Sequence, residues 1–239
     1  MNFIEGEVLC FDKPYKWTSF NVVKYVRKIL ERRLGLRKLK VGHAGTLDPL
    51  ATGVLIICTG KATKSIETLQ AGRKEYIATL KFGATTPSYD MEREEDAWFE
   101  TEHITRPLLE EALKGFVGTI EQVPPAHSAV HVDGKRAYEI ARKGKEVELK
   151  PKTLVIDEIE IVEETLPLSA TIRVVCSKGT YIRALARDIG EALGSGAYLT
   201  ALRRTRVGEY TTDNCLNIET LDEWLNSQDI VMPEDESSK

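Results

Sequence analysis

The sequence predicts an α+β fold, with a central mixed, mostly antiparallel sheet flanked by helices and a thumb-like insertion. Three observations predict it. Helical and alternating apolar periodicities are interspersed along the 239 residues, and several strands follow one another without an intervening helix. The alternating runs are short and bounded by Gly, Pro and Ser clusters. There is no internal repeat and no apolar run near ~18 residues, which sets aside repeat architectures and membrane-spanning helices.

Taken in order, residues 6–14 read as a strand stopped by Pro14. Thr18 and Ser19 offer an N-cap, and Val22, Val23, Val26, Ile29 and Leu30 recur at helical spacing, so an amphipathic helix covers about 20–33. Residues 40–53 read as a loop, 54–59 as a buried strand, and 60–69 as a short helix. Residues 74–83 alternate as a strand, 84–102 read as a polar surface loop, and 106–116 as a helix. Gln122-Val123-Pro124-Pro125 then breaks the pattern, and a basic insertion over about 124–152 follows, with a short helix expected near 136–143 between Gly134 and Gly144. Residues 154–164 and 169–177 alternate as strands, 181–193 is a helix ended by Gly194-Ser195-Gly196, 197–207 is a strand carrying three arginines, and 220–225 is a last helix. The expected organisation is one catalytic domain over 1–228 and an acidic, disordered tail over 229–239.

Four cysteines (Cys10, Cys58, Cys176, Cys215) are widely spaced and never at metal-ligand spacing, so they read as reduced core residues of a cytoplasmic protein. No signal peptide precedes the first strand. The net charge of −4 hides a polarised chain. Lys24, Arg27, Lys28, Arg32, Arg33, Arg37, Lys38 and Lys40 form one basic run against the single acid Glu31. Further basic groups lie over 135–152 and at Lys178, Arg183, Arg187, Arg203, Arg204 and Arg206, while acids gather over 90–111 and from Glu219 onward. A charge run is ordinarily a solvated face, but three basic runs segregated from the acids suit a phosphate-binding surface.

The stretch from Gly42 to Leu55, GHAGTLDPLATGVL, concentrates the chemistry. It places one imidazole, His43, and one carboxylate, Asp48, in a glycine-rich loop whose proline stiffens the residue before it, directly ahead of an apolar strand. An isolated Asp is ordinarily a turn residue and a lone His a satisfied loop group. Fourteen residues of such composition instead suit an acid presented on a rigid scaffold. Residues 53–61 fail the phosphate-loop template, because six residues separate the glycines and Ala62 replaces Ser/Thr, and nothing in the loop completes a metal-ligand set.

Together these motifs resemble the TruB family of tRNA pseudouridine synthases. Asp12-Lys13-Pro14 with Thr18-Ser19, the 42–55 stretch, Lys74-Glu75-Tyr76 with Gly83, Gln122-Val123-Pro124-Pro125 with Gly134-Lys135-Arg136, Cys176-Ser177-Lys178-Gly179-Thr180-Tyr181-Ile182-Arg183 and Gly194-Ser195-Gly196 with Leu202-Arg203-Arg204 occur in the family's order over about 6–210. Lys16 departs from a usual glycine, His127 and His131 from a usual tyrosine and lysine, and Arg93 from a glycine. The resemblance implies the pseudouridine synthase fold and isomerisation of uridine 55 in the tRNA T loop, without cofactor, metal or nucleotide. It implies Asp48 as the catalytic carboxylate and Arg183 as its ionic partner. It assigns Tyr76 to stack on the flipped base, Tyr181 and Leu202 to line the pocket, and His43 to support the displaced base. Lys13 is expected to support the catalytic loop, and Arg203 and Arg204 to grip phosphates. The partner is the T arm, bound by a monomer. About 30 residues follow the last motif, too few for the PUA-type RNA-binding domain that many relatives carry. The alternatives are an RNA-binding or RNA-folding module without catalysis, and a guide-dependent subunit of the dyskerin type.

Overall fold

The computed structural model of the chain describes residues 1–126, 131–132, 135–136 and 149–233. They fall into two compact units, Met1–Lys74 with Arg203–Lys239, and Glu75–Leu202. Strands β4 (Lys74–Phe82) and β12 (Ala197–Val207) run from one unit into the other along the chain.

In the first unit, β1 (Val8–Lys13) pairs antiparallel with β3 (Ala51–Thr59), which also pairs with β2 (Val41–Ala44). β3 is buried almost throughout, as an apolar run between two neighbours should be. Helix α1 (Ser19–Leu34) starts at Thr18, whose hydroxyl accepts from the Asn21 N–H, and ends at Gly35 in the left-handed conformation. It buries Val22, Val23, Val26, Ile29 and Leu30, the spacing read from the sequence. A 3₁₀ turn over Gly60–Ser65 and α2 (Ile66–Ala71) follow β3. Later β13 (Tyr210–Thr211) pairs with β12, and the short β14 (Leu216–Asn217) joins β1 in parallel, ahead of helix α5 (Leu221–Asn226).

In the second unit, β4 alternates buried and half-buried residues. β5 (Ala84–Thr85) and β6 (Ala97–Trp98) form a small hairpin, and α3 (Arg106–Lys114) leads into β7 (Gly118–Gln122). A two-stranded ladder of β8 (His131–Val132) and β9 (Lys135–Arg136) precedes the long β10 (Lys152–Thr165), which pairs antiparallel with β7 and with β11 (Ser169–Cys176). Helix α4 (Ile182–Ala192) follows.

The mixed, mostly antiparallel α+β class therefore holds. Three expectations need correction. The 40–53 loop contains β2, four residues with a glycine and a histidine, too short to alternate visibly. The 84–102 loop contains the β5–β6 hairpin, and the run before Pro124 contains β7. Cys10, Cys58 and Cys176 are buried, but Cys215 is only half-buried, on the short strand β14's flank. Most of the thumb expected over 124–152, including His127 and the helix near 136–143, lies outside the described residues, as does the tail from residue 234. Within 229–233, the Val231 N–H donates to the Met1 carbonyl. No helix among the described residues is long and apolar enough to cross a membrane.

Candidate active site

Asp48 sits half-buried in the turn between β2 and β3, and every residue from Gly45 to Pro49 is held by hydrogen bonds within the first unit. Arg204 donates from Nη2 to the Gly45 carbonyl (3.1 Å) and from Nη1 to the Thr46 carbonyl (3.3 Å), while its Nε reaches the Val54 carbonyl (2.8 Å). Ser19, at the start of α1, clamps Leu47 on both sides: its hydroxyl donates to the Leu47 carbonyl (3.1 Å) and accepts from the Leu47 N–H (2.8 Å). The Asp48 carbonyl accepts from the Ala51 N–H (3.1 Å). The Pro49 carbonyl accepts from the Lys16 N–H (2.9 Å) and from Lys13 Nζ (3.2 Å).

Lys13 has no solvent exposure. Its ammonium has three N–H groups and three carbonyl partners, Pro14 (2.9 Å), Trp17 and Pro49. Burial pushes this amine down to about 8, with the Asp48 carboxylate pulling it up and Arg204 pushing it further down. His43, half-buried on β2, has an Nδ1 with no hydrogen-bond partner. Burial, then the Arg204 charge, lowers its pKa, so the ring is neutral at neutral pH.

Arg204 corrects an expectation. It is 1% exposed, and its Nε, Nη1 and Nη2 each donate to a backbone carbonyl, so it braces the aspartate loop from inside rather than gripping a phosphate. Arg203 is committed as well, forming a bidentate pair with Asp12 (Nη2–Oδ2 2.6 Å, Nη1–Oδ1 3.1 Å). Asp12 also accepts the Gly53 N–H (3.1 Å), tying the start of β3 to β1. Gly53 lies at φ +101°, and a Cβ there would stand 2.1 Å from the Arg204 carbonyl oxygen, so only glycine allows these strands to approach.

In the second unit, Tyr76 is buried on β4 and Leu202 half-buried on β12. Tyr181 precedes α4, its backbone clamped by the Gln122 side chain, which accepts the Tyr181 N–H (2.9 Å) and donates to its carbonyl (3.2 Å). Arg183, on the first turn of α4, is 5% exposed. It donates to the Ser88 carbonyl (3.0 Å) and lies 3.7 Å from the buried Asp90 carboxylate.

Sequence reasoning missed Asp12, Ser19, Gln122 and Asp90 as positioning groups. Asp12 and Gln122 sit inside quoted motifs, so their place was visible but not their role. From sequence Ser19 reads only as a cap residue, and Asp90 as one acid of a surface loop.

Comparison with known proteins identifies the family. The profile of the TruB family pseudouridylate synthase N-terminal domain matches residues 27–182, and that of the tRNA pseudouridylate synthase B C-terminal domain matches residues 183–236. A protein of Phocaeicola vulgatus named tRNA pseudouridine synthase B is 68% identical over 230 residues, covering 96% of this chain and 97% of that protein. One of the same name from Parabacteroides distasonis is 64% identical over 236 residues, covering 99% of this chain and all of that protein (100%). Among solved structures, a chain of a Cbf5–Nop10–Gar1 complex superposes with a TM-score of 0.69 at 30% identity, covering 93% of this chain. This chain spans 55% of that longer chain. An H/ACA RNP bound to a substrate RNA containing 2′-deoxyuridine gives 0.67 at 28% identity, with 93% and 54% coverage. On the two profiles and these near full-length relatives, the chain belongs to the TruB family of pseudouridylate synthases.

Proposed function

We propose that this protein converts uridine 55 in the T loop of tRNA to pseudouridine, with Asp48 as the catalytic carboxylate. The supporting observation is the bracing of residues 45–49, which fixes a half-buried carboxylate in a loop with almost no freedom to move. Such preorganisation suits a group that must act at one atom of a bound nucleotide.

The reaction breaks the N1–C1′ bond, turns the uracil and rejoins it through C5, with loss of the C5 proton and protonation of N1. It is redox-neutral and moves no phosphate, so no cofactor enters the balance. Bond cleavage develops positive charge at C1′, which an ionised Asp48 opposes, either electrostatically, by adding at C1′, or by removing the C2′ proton. Arg183 acts as its counter-cation. The target base leaves its stack to react. Tyr76 stacks on it and helps remove the C5 proton, Tyr181 and Leu202 line its pocket, and neutral His43 supports the RNA at the vacated place.

The enzyme acts as a monomer and reads the T arm, whose unstacked loop bases are recognised by shape and stacking. Incubating the purified protein alone with an unmodified tRNA transcript and mapping pseudouridine by mass tests this. Product at position 55 is expected, at a rate within a few-fold on an isolated T-arm hairpin. No product from the protein alone would favour the guide-dependent reading, and product elsewhere in the tRNA would refute the site.

A further inference from the structure

A cleft of about 380 Å³ opens on the face of α1 that looks away from the core, and its lining is not explained by the chemistry at Asp48. Lys16, Trp17, Asn21, Lys24, Tyr25 and Lys28 form it. Asn21, Tyr25 and Lys28 follow one another at i+4 and i+3, a single stripe along the helix, and Trp17 stands just ahead of its N-cap. The neighbouring row adds Phe20, 62% exposed. A soluble helix ordinarily carries polar groups on this face, so a tyrosine and a phenylalanine there, beside Trp17 and among lysines, call for a ligand.

Three features define that ligand. Trp17 and Tyr25 meet edge to face, with ring centroids 5.7 Å apart and planes at 74°, so they brace each other without stacking in parallel. Among the described residues, no carboxylate pairs with Lys16, Lys24 or Lys28, whereas Arg32 farther along the same helix is paired to Asp222 (3.0 Å). The cleft is also built onto the aspartate loop: the Lys16 N–H donates to the Pro49 carbonyl, and Lys13 Nζ bonds both Trp17 and Pro49 carbonyls. Lys16, in the cleft's lining, is itself held at φ +65°, a left-handed conformation costly for a non-glycine residue. Aromatic rings beside cations that have no carboxylate partner fit a planar base with its phosphates, and a volume near the lower end of ligand pockets (~300–1,000 Å³) fits one nucleotide.

We propose that this cleft is a second nucleotide subsite, holding an unstacked nucleotide of the substrate RNA near the one that reacts, with its base against Trp17 and Tyr25 and the flanking phosphates against Lys16, Lys24 and Lys28. The proposal rests on the RNA substrate assigned above. It makes the loop carrying Asp48 and the aromatic cleft one rigid reader of two neighbouring unstacked nucleotides.

The test uses the full chain and T-arm hairpins carrying one abasic position at a time around the target uridine. Binding is measured by filter retention and turnover by product formation. With the wild type, one abasic position outside the target should weaken binding about 5- to 150-fold, the range expected when one base stack is removed. Trp17→Ala should weaken binding of the intact hairpin by a similar factor, raise KM, leave kcat within a few-fold, and make the enzyme indifferent to that abasic position. Lys24→Ala with Lys28→Ala should flatten the dependence of log affinity on log salt by about 0.7 for each phosphate no longer neutralised. Lys16→Gly relieves the backbone strain, so it should melt higher while binding RNA more weakly, which separates weakened RNA binding from weakened folding.

If Trp17→Ala and the abasic losses simply multiply, or if no abasic position outside the target matters, the subsite is refuted. So it is if the variants bind RNA normally while an acidic peptide quenches Trp17 fluorescence in a Trp98→Phe, Trp224→Phe background. Failure of the function assigned above reads differently, as intact RNA binding with no pseudouridine in the wild type.

Discussion

Raising the pH through about 8 should disable this enzyme without unfolding it, because Lys13 then loses the proton that lets it hold the aspartate loop. The fold lowers this amine from 10.5 to about 8. That difference corresponds to about 3 kcal/mol against the charged form. About nine-tenths of the molecules carry the ammonium at pH 7 and about one-tenth at pH 9. The neutral amine has two N–H groups for the three carbonyls of Pro14, Trp17 and Pro49, so one buried acceptor is left without its donor, and the cation beside Asp48 is gone. Single-turnover pseudouridine formation should therefore fall about tenfold from pH 7 to 9. Stability should move the other way. Between pH 8 and 10.5 the unfolded chain binds more protons at this lysine than the folded one does, so this group alone adds stability as pH rises. Nitrogen-15 NMR of labelled lysines reads the ionisation, and thermal melting at each pH reads the fold. A Lys13 that stays charged to pH 10, or a rate flat to pH 9.5, would refute the reasoning.

Other expectations follow from the same hydrogen bonds and close approaches. Arg204→Met removes the donor to the Gly45, Thr46 and Val54 carbonyls, and at ~1–3 kcal/mol per stranded acceptor it should lower stability by at least about 3 kcal/mol in urea titration; a loss below about 1 would contradict its bracing role. Gly53→Ala drives a Cβ to 2.1 Å from the Arg204 carbonyl and forces a side chain onto φ +101°, so it should cost at least ~2 kcal/mol by thermal unfolding, and a melting point unchanged from wild type would exclude that approach. His43 should titrate below 6.5 by proton NMR; because its folded pKa is depressed, the unfolded chain takes up the proton first, and the stability it contributes declines as pH falls below 6.5. A midpoint at or above 6.5 would overturn the neutral assignment.

Elements with strong periodicity were legible in the sequence: α1 from its valines and Thr18 cap, β3 from its apolar run, β4 and the long β10–β11 pair from alternation, α4 from its apolar face. The missed pieces were β2, β5–β6, β7, β8–β9, β13 and β14, two to five residues each, where pairing with a neighbour rather than local pattern decides the structure. Asp48 stood out because its surroundings were chemically unusual. Arg204 did not, since residue type makes an arginine look solvent-directed, and only the converging carbonyls of Gly45, Thr46 and Val54 show why it is buried. The same limit hid the Arg183–Asp90 pair, whose members are 93 positions apart in sequence yet lie 3.7 Å apart in the fold.

The central claim, that the Asp48 carboxylate performs the isomerisation, is tested most directly by Asp48→Asn, which keeps the side chain's size and removes its charge. Pseudouridine formation on a T-arm hairpin should fall below detection while hairpin affinity stays within a few-fold of wild type. An Asp48→Asn enzyme that still forms pseudouridine at the wild-type rate would contradict the account.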